Sequence, residues 1–282
     1  MEFPLALAHE VERNVLTALA EDIGGGDLTA MLTPIDRPAV GVVTCRENAV
    51  LCGSAWFEAC IQRLDPTARV HWLAADGELI QAGQIVCEIA ADTRALLTSE
   101  RSALNFLQLL SGIATQTRLY VEAVAGTQAK IVDTRKTIPG LRLAQKYAVR
   151  CGGGTNHRLG LYDGILIKEN HIIAAGSITA AMARASVLAN GKVFIQVEVE
   201  TLEQLAEALD AGATMILLDN MDLVRMHQAV GLTAGRAELE ASGGVRPETV
   251  RAIAETGVDR ISIGALTKDV HAIDLSLRHS EG

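Results

Sequence analysis

Residues 133–171 read DTRKTIPGLRLAQKYAVRCGGGTNHRLGLYDGILIKENH. Ile131-Val132 runs into Asp133-Thr-Arg-Lys at the start of this stretch, and Gly164-Ile-Leu-Ile runs into Lys168-Glu-Asn-His at its end. Each is a short apolar run ending in charge, the pattern of a buried strand whose C-terminal end meets solvent or a ligand. Between them stand Arg142, Lys146, Arg150 and Arg158, with Asp163 as the acid, in a chain of formal net charge -9. A basic cluster inside an acidic chain implies an anionic ligand rather than a general affinity for polyanions.

Downstream the same rhythm repeats. Strands are predicted at Ile131–Asp133, Gly164–Lys168, Val193–Val199, Met215–Asp219, Ala237–Ala241 and Arg260–Ile263. Helices are predicted between them over Leu141–Cys151, Ser177–Asn190, Leu202–Ala211, Leu223–Val230 and Pro247–Thr256. Strands alternating with helical crossovers mean a parallel α/β sheet, either open or closed. Each strand ends in polar residues or glycine: Asp133-Thr-Arg-Lys, Lys168-Glu-Asn, Glu198, Asp219-Asn, Ser242-Gly-Gly and Gly264-Ala. An open doubly wound sheet gathers ligand residues at one switch point, whereas contributions from every strand end fit a barrel with its site at the C-terminal face. The expected fold is therefore α/β, with a closed or nearly closed α/β barrel of fewer than eight units.

Upstream, Leu5, Ala8, Val11, Val15, Leu16 and Leu19 recur at helical spacing, and Gly24-Gly-Gly then stops the helix. Val40–Cys45 and Ala49–Cys52 read as strands and Ser54–Leu64 as a helix. Val70–Ala90 resembles a biotinyl or lipoyl hairpin, but it has no lysine on which to carry a cofactor, so it reads as scaffold. Arg94–Ala125 is a long helical stretch, with a break expected near Gly112. It carries Arg101 beside Glu100, a pattern that by itself reads as an ion pair or a solvated charge.

Several function classes drop out. A pI near 5.3 argues against sequence-independent nucleic-acid binding. No apolar run approaches the roughly 20 residues of a membrane span, and the first residues lack the basic start and apolar core of a secretory signal. A cytoplasmic protein is expected. Cys45, Cys52, Cys60, Cys87 and Cys151 form no C-x-x-C pair and read as reduced core thiols. The seven histidines show no metal-ligand spacing, so a protein-held zinc is not expected. There is no G-x-x-x-x-G-K-[ST] loop and no G-x-G-x-x-G after a strand.

The strand ends themselves suggest chemistry. Ser242-Gly-Gly and Gly264-Ala follow the last two strands, where barrels commonly bind phosphate through backbone N–H groups; two tight turns are the alternative. Arg135, Lys136, Arg158 and Lys168 suit carboxylates and pyrophosphate together. Glu198 and Asp219 either neutralise those cations or bind sugar hydroxyls or hydrated magnesium.

At these residues the chain resembles a known family. DTRKTIPGLR, GGGTNHRLGLYDGILIKENH, QVEVETLEQL, ILLDNM, LEASGGV and the earlier SERSALNFLQLLSGIAT together are similar to quinolinate phosphoribosyltransferase, from about Glu21 to Lys268. The resemblance implies a sandwich-like N-terminal α/β domain over 1–112, an incomplete, six-stranded α/β barrel over 113–268 with its site at the C-terminal strand ends, and a tail over 269–282 that folds back onto the first domain. It also implies transfer of phosphoribosyl from phosphoribosyl pyrophosphate to quinolinate, giving nicotinate mononucleotide, pyrophosphate and carbon dioxide, with Mg2+ held mainly through substrate and water. It implies that Arg135 and His157-Arg158 hold the quinolinate carboxylates, that Lys136 and Lys168 face the same anionic pocket and the pyrophosphate, and that Thr134 also belongs to the substrate site. Glu198 and Asp219 would address the ribose and its magnesium, and Ser242-Gly243-Gly244 with Ile263-Gly264-Ala265 the 5′-phosphate. It further implies a homodimer in which Arg101 reaches the partner's site, a different role from the one its pattern suggests. Lys136, Lys168, Glu198 and Asp219 are the expected catalytic residues. Ile138 departs from the family motif, which more often has threonine there; a change in loop packing is the expected consequence.

Overall fold

The computed structural model describes residues 5–34 and 37–280. In chain order it contains α1 (Leu5–Ile23), β1 (Pro38–Cys45), β2 (Ala49–Val50), α2 (Ser54–Leu64), β3 (Arg69–Trp72), β4 (Leu79–Ile80), β5 (Ile85–Asp92) and α3 (Thr93–Ala123). There follow β6 (Lys130–Val132), α4 (Arg142–Cys151), β7 (Gly164–Ile167), α5 (Glu169–Ala175), α6 (Ile178–Ala189), β8 (Phe194–Val199), α7 (Leu202–Asp210) and β9 (Met215–Asp219). The chain ends with α8 (Leu223–Thr233), β10 (Glu238–Ser242), α9 (Pro247–Glu255), β11 (Arg260–Ser262), α10 (Ala265–Lys268) and β12 (Leu275–Ser280).

These elements form two compact units. The first comprises residues 1–118, 137–153 and 267–282, and the second 119–136 and 154–266. The division differs from a single cut at Gly112: α4 and the C-terminal tail belong with the N-terminal half.

In the first unit an antiparallel sheet runs in the order β12-β1-β5-β3, while the two-residue strands β2 and β4 pair with each other. The tail strand β12 lies along β1, from Val40 opposite Ser280 to Cys45 opposite Leu275. Helix α1 buries Leu7, Val11, Val15 and Leu19, one residue per turn along a single face. Trp56, Phe57 and Ile61 of α2 and Leu96, Leu104, Leu107 and Leu110 of α3 are buried in this unit. Helix α3 runs without a break through Gly112. A Cβ at Gly112 would stand 2.0 Å from the His271 carbonyl oxygen, so glycine there admits the returning tail instead of ending the helix.

The second unit is built on six parallel strands in the order β6-β11-β10-β9-β8-β7. Strands β6 and β7, neighbours along the chain, lie at opposite edges and do not pair, so the barrel is incomplete. The middle of β9 is buried at Ile216, Leu217 and Leu218 in succession, as expected of a parallel strand covered on both faces. Crossover helices begin at side-chain caps: Ser177 accepts from the Ala180 N–H, Thr201 from Gln204 and Asp222 from Arg225. Because all six strands run the same way, their C-terminal ends share one rim. Among the described residues no single helix is long and apolar enough to cross a membrane.

Candidate functional site

The rim begins at Asp133, which follows β6 and is fully buried. One carboxylate oxygen accepts the His157 backbone N–H at 2.8 Å and the other accepts the Asn156 side-chain amide at 2.6 Å. A buried carboxylate is tolerated when it is satisfied in this way, and it ties the Asn156–Arg158 loop to the end of β6. The next residue, Thr134, accepts the Lys136 N–H through its hydroxyl at 3.0 Å and so turns the chain. Gly264 faces this turn: a Cβ there would approach the Lys136 side chain to 3.0 Å. Glycine at the end of β11 therefore leaves room for the lysine stem.

Arg135 and Arg158 form the electropositive centre. The Nε of Arg135 is buried without a hydrogen-bond partner. Burial first, and then the charge of Arg135, hold the Arg158 guanidinium below its ordinary pKa, with Asp163 opposing them. One Arg158 nitrogen donates to the Gly164 carbonyl at 3.1 Å. Asp163 accepts the Leu159 and Gly160 N–H groups and thereby closes the loop that carries Arg158. Two guanidiniums in mutual repulsion, one with a buried N–H left unpaired, form a place for an anion.

His157 lies behind Arg158 and is buried. Its Nδ1 accepts the Arg158 backbone N–H at 2.7 Å, so the proton sits on Nε2, which faces Gln196 Oε1 at 2.8 Å. Gln196 in turn donates to Glu240 at 3.2 Å, and Arg260 donates to the same carboxylate at 3.2 Å. Both ring nitrogens are thus committed to the protein, and the residue positions Arg158.

Further round the rim, Lys168 Nζ lies 2.5 Å from Glu198 Oε2, joining the ends of β7 and β8. The Lys168 backbone N–H donates to His171 Nδ1 at 3.0 Å, which fixes the start of α5. Asp219 accepts the Asn220 amide at 2.9 Å, and Asn220 adopts a left-handed backbone with φ 51°. Gly243 follows β10 with φ 102°, and a Cβ there would stand 2.0 Å from Asn220 Oδ1. Glycine is required on both counts. Ser242, Gly243 and Gly244 are thus brought beside Asp219, while Ile263, Gly264 and Ala265 are brought beside Thr134 and Lys136. Arg101 stands exposed on α3 in the first unit.

Asp133, Asn156, Gln196 and Glu240 were not among the candidates from sequence. Asp133 opens the DTRK motif and could have been found there. The others become visible only once strands distant in the chain lie side by side. Ile138 donates its backbone N–H to Gln145 Oε1 at 2.7 Å, a backbone bond that the side-chain type at 138 does not supply.

The oxygen donors and cations on the rim suit a phosphorylated, carboxylate-bearing ligand accompanied by a hard divalent cation such as magnesium. Residues 27–111 match the N-terminal domain of quinolinate phosphoribosyl transferase, and residues 113–278 match its C-terminal domain. The chain is 43% identical to the probable carboxylating nicotinate-nucleotide pyrophosphorylase of Bacillus subtilis, over 91% of this chain and 89% of that protein. It is 39% identical to the chloroplastic carboxylating nicotinate-nucleotide pyrophosphorylase of Arabidopsis thaliana, over 96% of this chain and 83% of that one. The solved nicotinate-nucleotide pyrophosphorylase of Francisella tularensis superposes with a TM-score of 0.92 at 44% identity, over 97% of each chain.

Proposed function

We propose, since this chain belongs to the quinolinate phosphoribosyl transferase family, that it transfers the phosphoribosyl group of phosphoribosyl pyrophosphate to quinolinate with loss of carbon dioxide. The product is nicotinate mononucleotide, a step of NAD synthesis. The observation that carries the substrate assignment is the Arg135–Arg158 pair, with its unpaired buried N–H. A dicarboxylate supplies two anionic groups to two forked cations, whereas nicotinate supplies one.

In this reading Arg135 and Arg158 hold the quinolinate carboxylates and Lys136 lies beside them. His157 acts through Arg158. The ring nitrogen attacks the anomeric carbon of the ribose as the bond to pyrophosphate breaks. Glu198 and Asp219 face the positive charge that develops on the sugar, and Lys168 neutralises the departing pyrophosphate. Asp219 and Glu198 would offer oxygen donors to a magnesium ion held mainly by the substrate and water, which would supply further neutralisation of the pyrophosphate. The quaternised ring then accepts the electron pair released as the adjacent carboxylate leaves as carbon dioxide, and a proton from solvent completes the product. Ser242–Gly244 and Gly264–Ala265 present backbone N–H groups for the 5′-phosphate, while the Ile263 N–H donates to the Val132 carbonyl and holds that turn in place. The protein chiefly positions and neutralises.

The direct test incubates the chain with quinolinate and phosphoribosyl pyrophosphate, with and without magnesium, and follows nicotinate mononucleotide and carbon dioxide together. Equimolar, magnesium-dependent release of both is expected. Faster turnover of nicotinate without carbon dioxide would overturn the assignment.

Two further outcomes follow from this reading. Gln196→Leu strands the His157 N–H and is expected to cost about 1–3 kcal/mol of stability. It should also raise the KM for quinolinate about tenfold by loosening Arg158, while leaving the KM for phosphoribosyl pyrophosphate unchanged; equal rises in both would mean a general structural defect. The second outcome concerns assembly. The proposed active form is a homodimer in which exposed Arg101 completes the partner's site. Arg101→Ala and Lys168→Ala chains should each be inactive, and mixing them after verified subunit exchange should restore part of the activity through one intact site. No recovery would count against a shared site.

A further inference from the structure

Away from the rim, the first unit contains a second cluster of chemically capable side chains. The Sγ atoms of Cys52 and Cys151 and a carboxylate oxygen of Asp76 all lie within 4.8 Å of one another. The two thiols hydrogen-bond to each other, and the Tyr147 hydroxyl contacts Cys151 and donates to Asp76 at 2.8 Å. Cys52 is wholly buried and Cys151 is 7% exposed.

The surrounding structure fixes each of these groups. Ser111 brackets Cys52, donating to its carbonyl at 3.1 Å and accepting its N–H at 2.9 Å. Asp76 accepts the Gly53 and Ser54 N–H groups at the start of α2. Cys151 closes α4. Arg118 donates to the carbonyls of Gly77, Cys151 and Gly152, binding the segment after Asp76 to the segment that holds Cys151. A Cβ at Gly152 would stand 2.5 Å from the Ala114 carbonyl, so glycine allows α4 to end against α3. The Trp56 ring lies 5.6 Å from that of Tyr147.

Two thiols and a carboxylate facing one point, each with its backbone or carboxylate held by further hydrogen bonds, form the donor set and outer support of a thiophilic cation. A tetrahedral zinc ion with bonds of about 2.3 Å to sulfur and about 2.0 Å to oxygen places its ligands roughly 3.5–3.8 Å apart. The observed spacing needs movements of no more than about 1 Å to reach that. We propose that Cys52, Asp76 and Cys151 bind a zinc-class divalent cation, with the Tyr147 hydroxyl on the fourth side. Two thiolates and a carboxylate leave one net negative charge on a divalent ion. Arg118 and Arg150, both close to Cys151, offset it. The site selects a soft or borderline ion and so differs in kind from the oxygen donors of the rim. The inference is independent of the reading given under Proposed function.

The full chain, reduced and stripped with chelator, is to be dialysed against Zn2+ and against Co2+, with bound metal measured by elemental analysis. One equivalent per chain is expected, with a thiolate-to-cobalt charge-transfer band and zinc absorption-edge spectra showing two sulfur neighbours. With zinc at about a hundredfold excess over its Kd, the melting temperature should rise by roughly 5 °C or more. Cys52→Ser and Cys151→Ser should each lose the band and the shift, and Cys87→Ser should keep both. Absence of bound metal in the unaltered chain would sink the proposal. So would zinc with no sulfur neighbour, or formation of a Cys52–Cys151 disulfide with no metal uptake. The spectra of the unaltered chain decide the matter even where a serine variant fails to fold.

Discussion

Arg135→Leu is expected to lower kcat/KM for quinolinate by roughly 10²–10³, the usual cost of removing a preorganised charged donor from a water-excluded site. Stability should not fall with it. In the free protein the Arg135 Nε is buried without a partner, and its charge opposes that of Arg158. Leucine removes an orphaned donor and a repulsion together, so the melting temperature should hold or rise. Arg135→Lys should recover only a small part of the loss, because a point charge does not reproduce the fork that grips a carboxylate through two N–H groups. Steady-state kinetics on both variants beside thermal denaturation checks this. Activity lost in step with stability would mean that Arg135 supports the loop instead of the substrate.

Gly112→Ala is expected to destabilise the chain although it replaces a glycine inside a helix. In an exposed helix interior this replacement gains about 1 kcal/mol. Here the new methyl would stand 2.0 Å from the His271 carbonyl, where backbone must give way. A net loss of about 1–3 kcal/mol is expected, as for other overpacked sites. Gly231 in α8 is the matched control: it has ordinary helical φ and nothing within 4 Å of its Cβ position. Gly231→Ala should therefore be neutral or mildly stabilising. Urea denaturation of the two variants separates them, and a gain at both positions would show that the tail yields freely.

The same glycine shows what a sequence reveals and what it withholds. A break near Gly112 follows from propensity, a local property, and the structure overrules it because the reason for glycine there is a carbonyl 159 positions further along the chain (271 − 112). The six parallel strands were legible because each is a short apolar run that ends in charge or glycine, whatever its neighbours are. Helix α5 was not, since its seven residues follow β7 without a turn signal and merge with the motif that contains Lys168. The rim residues could be named from the strand ends. The pairing of Gln196 with His157 and of Asp133 with Asn156 depends on which strands become neighbours. The cysteine–aspartate cluster is hidden for the same reason: Cys52 and Asp76 stand 24 residues apart (76 − 52) in one segment of the first unit and Cys151 comes from another.

The path of the chain through the two units has a genetic consequence. The backbone passes from one unit to the other after residues 118, 136, 153 and 266. No single interruption of the gene releases either unit whole. A split between Gly112 and Ile113, although it falls where the two family domains meet, would leave the N-terminal fragment without α4 and without β12, and would bare the edge of β1 along six residue pairs. Exposed edges of that kind aggregate. The two halves are thus bound to be inherited, expressed and lost together, and a fragment of this enzyme grafted onto another protein would arrive incomplete.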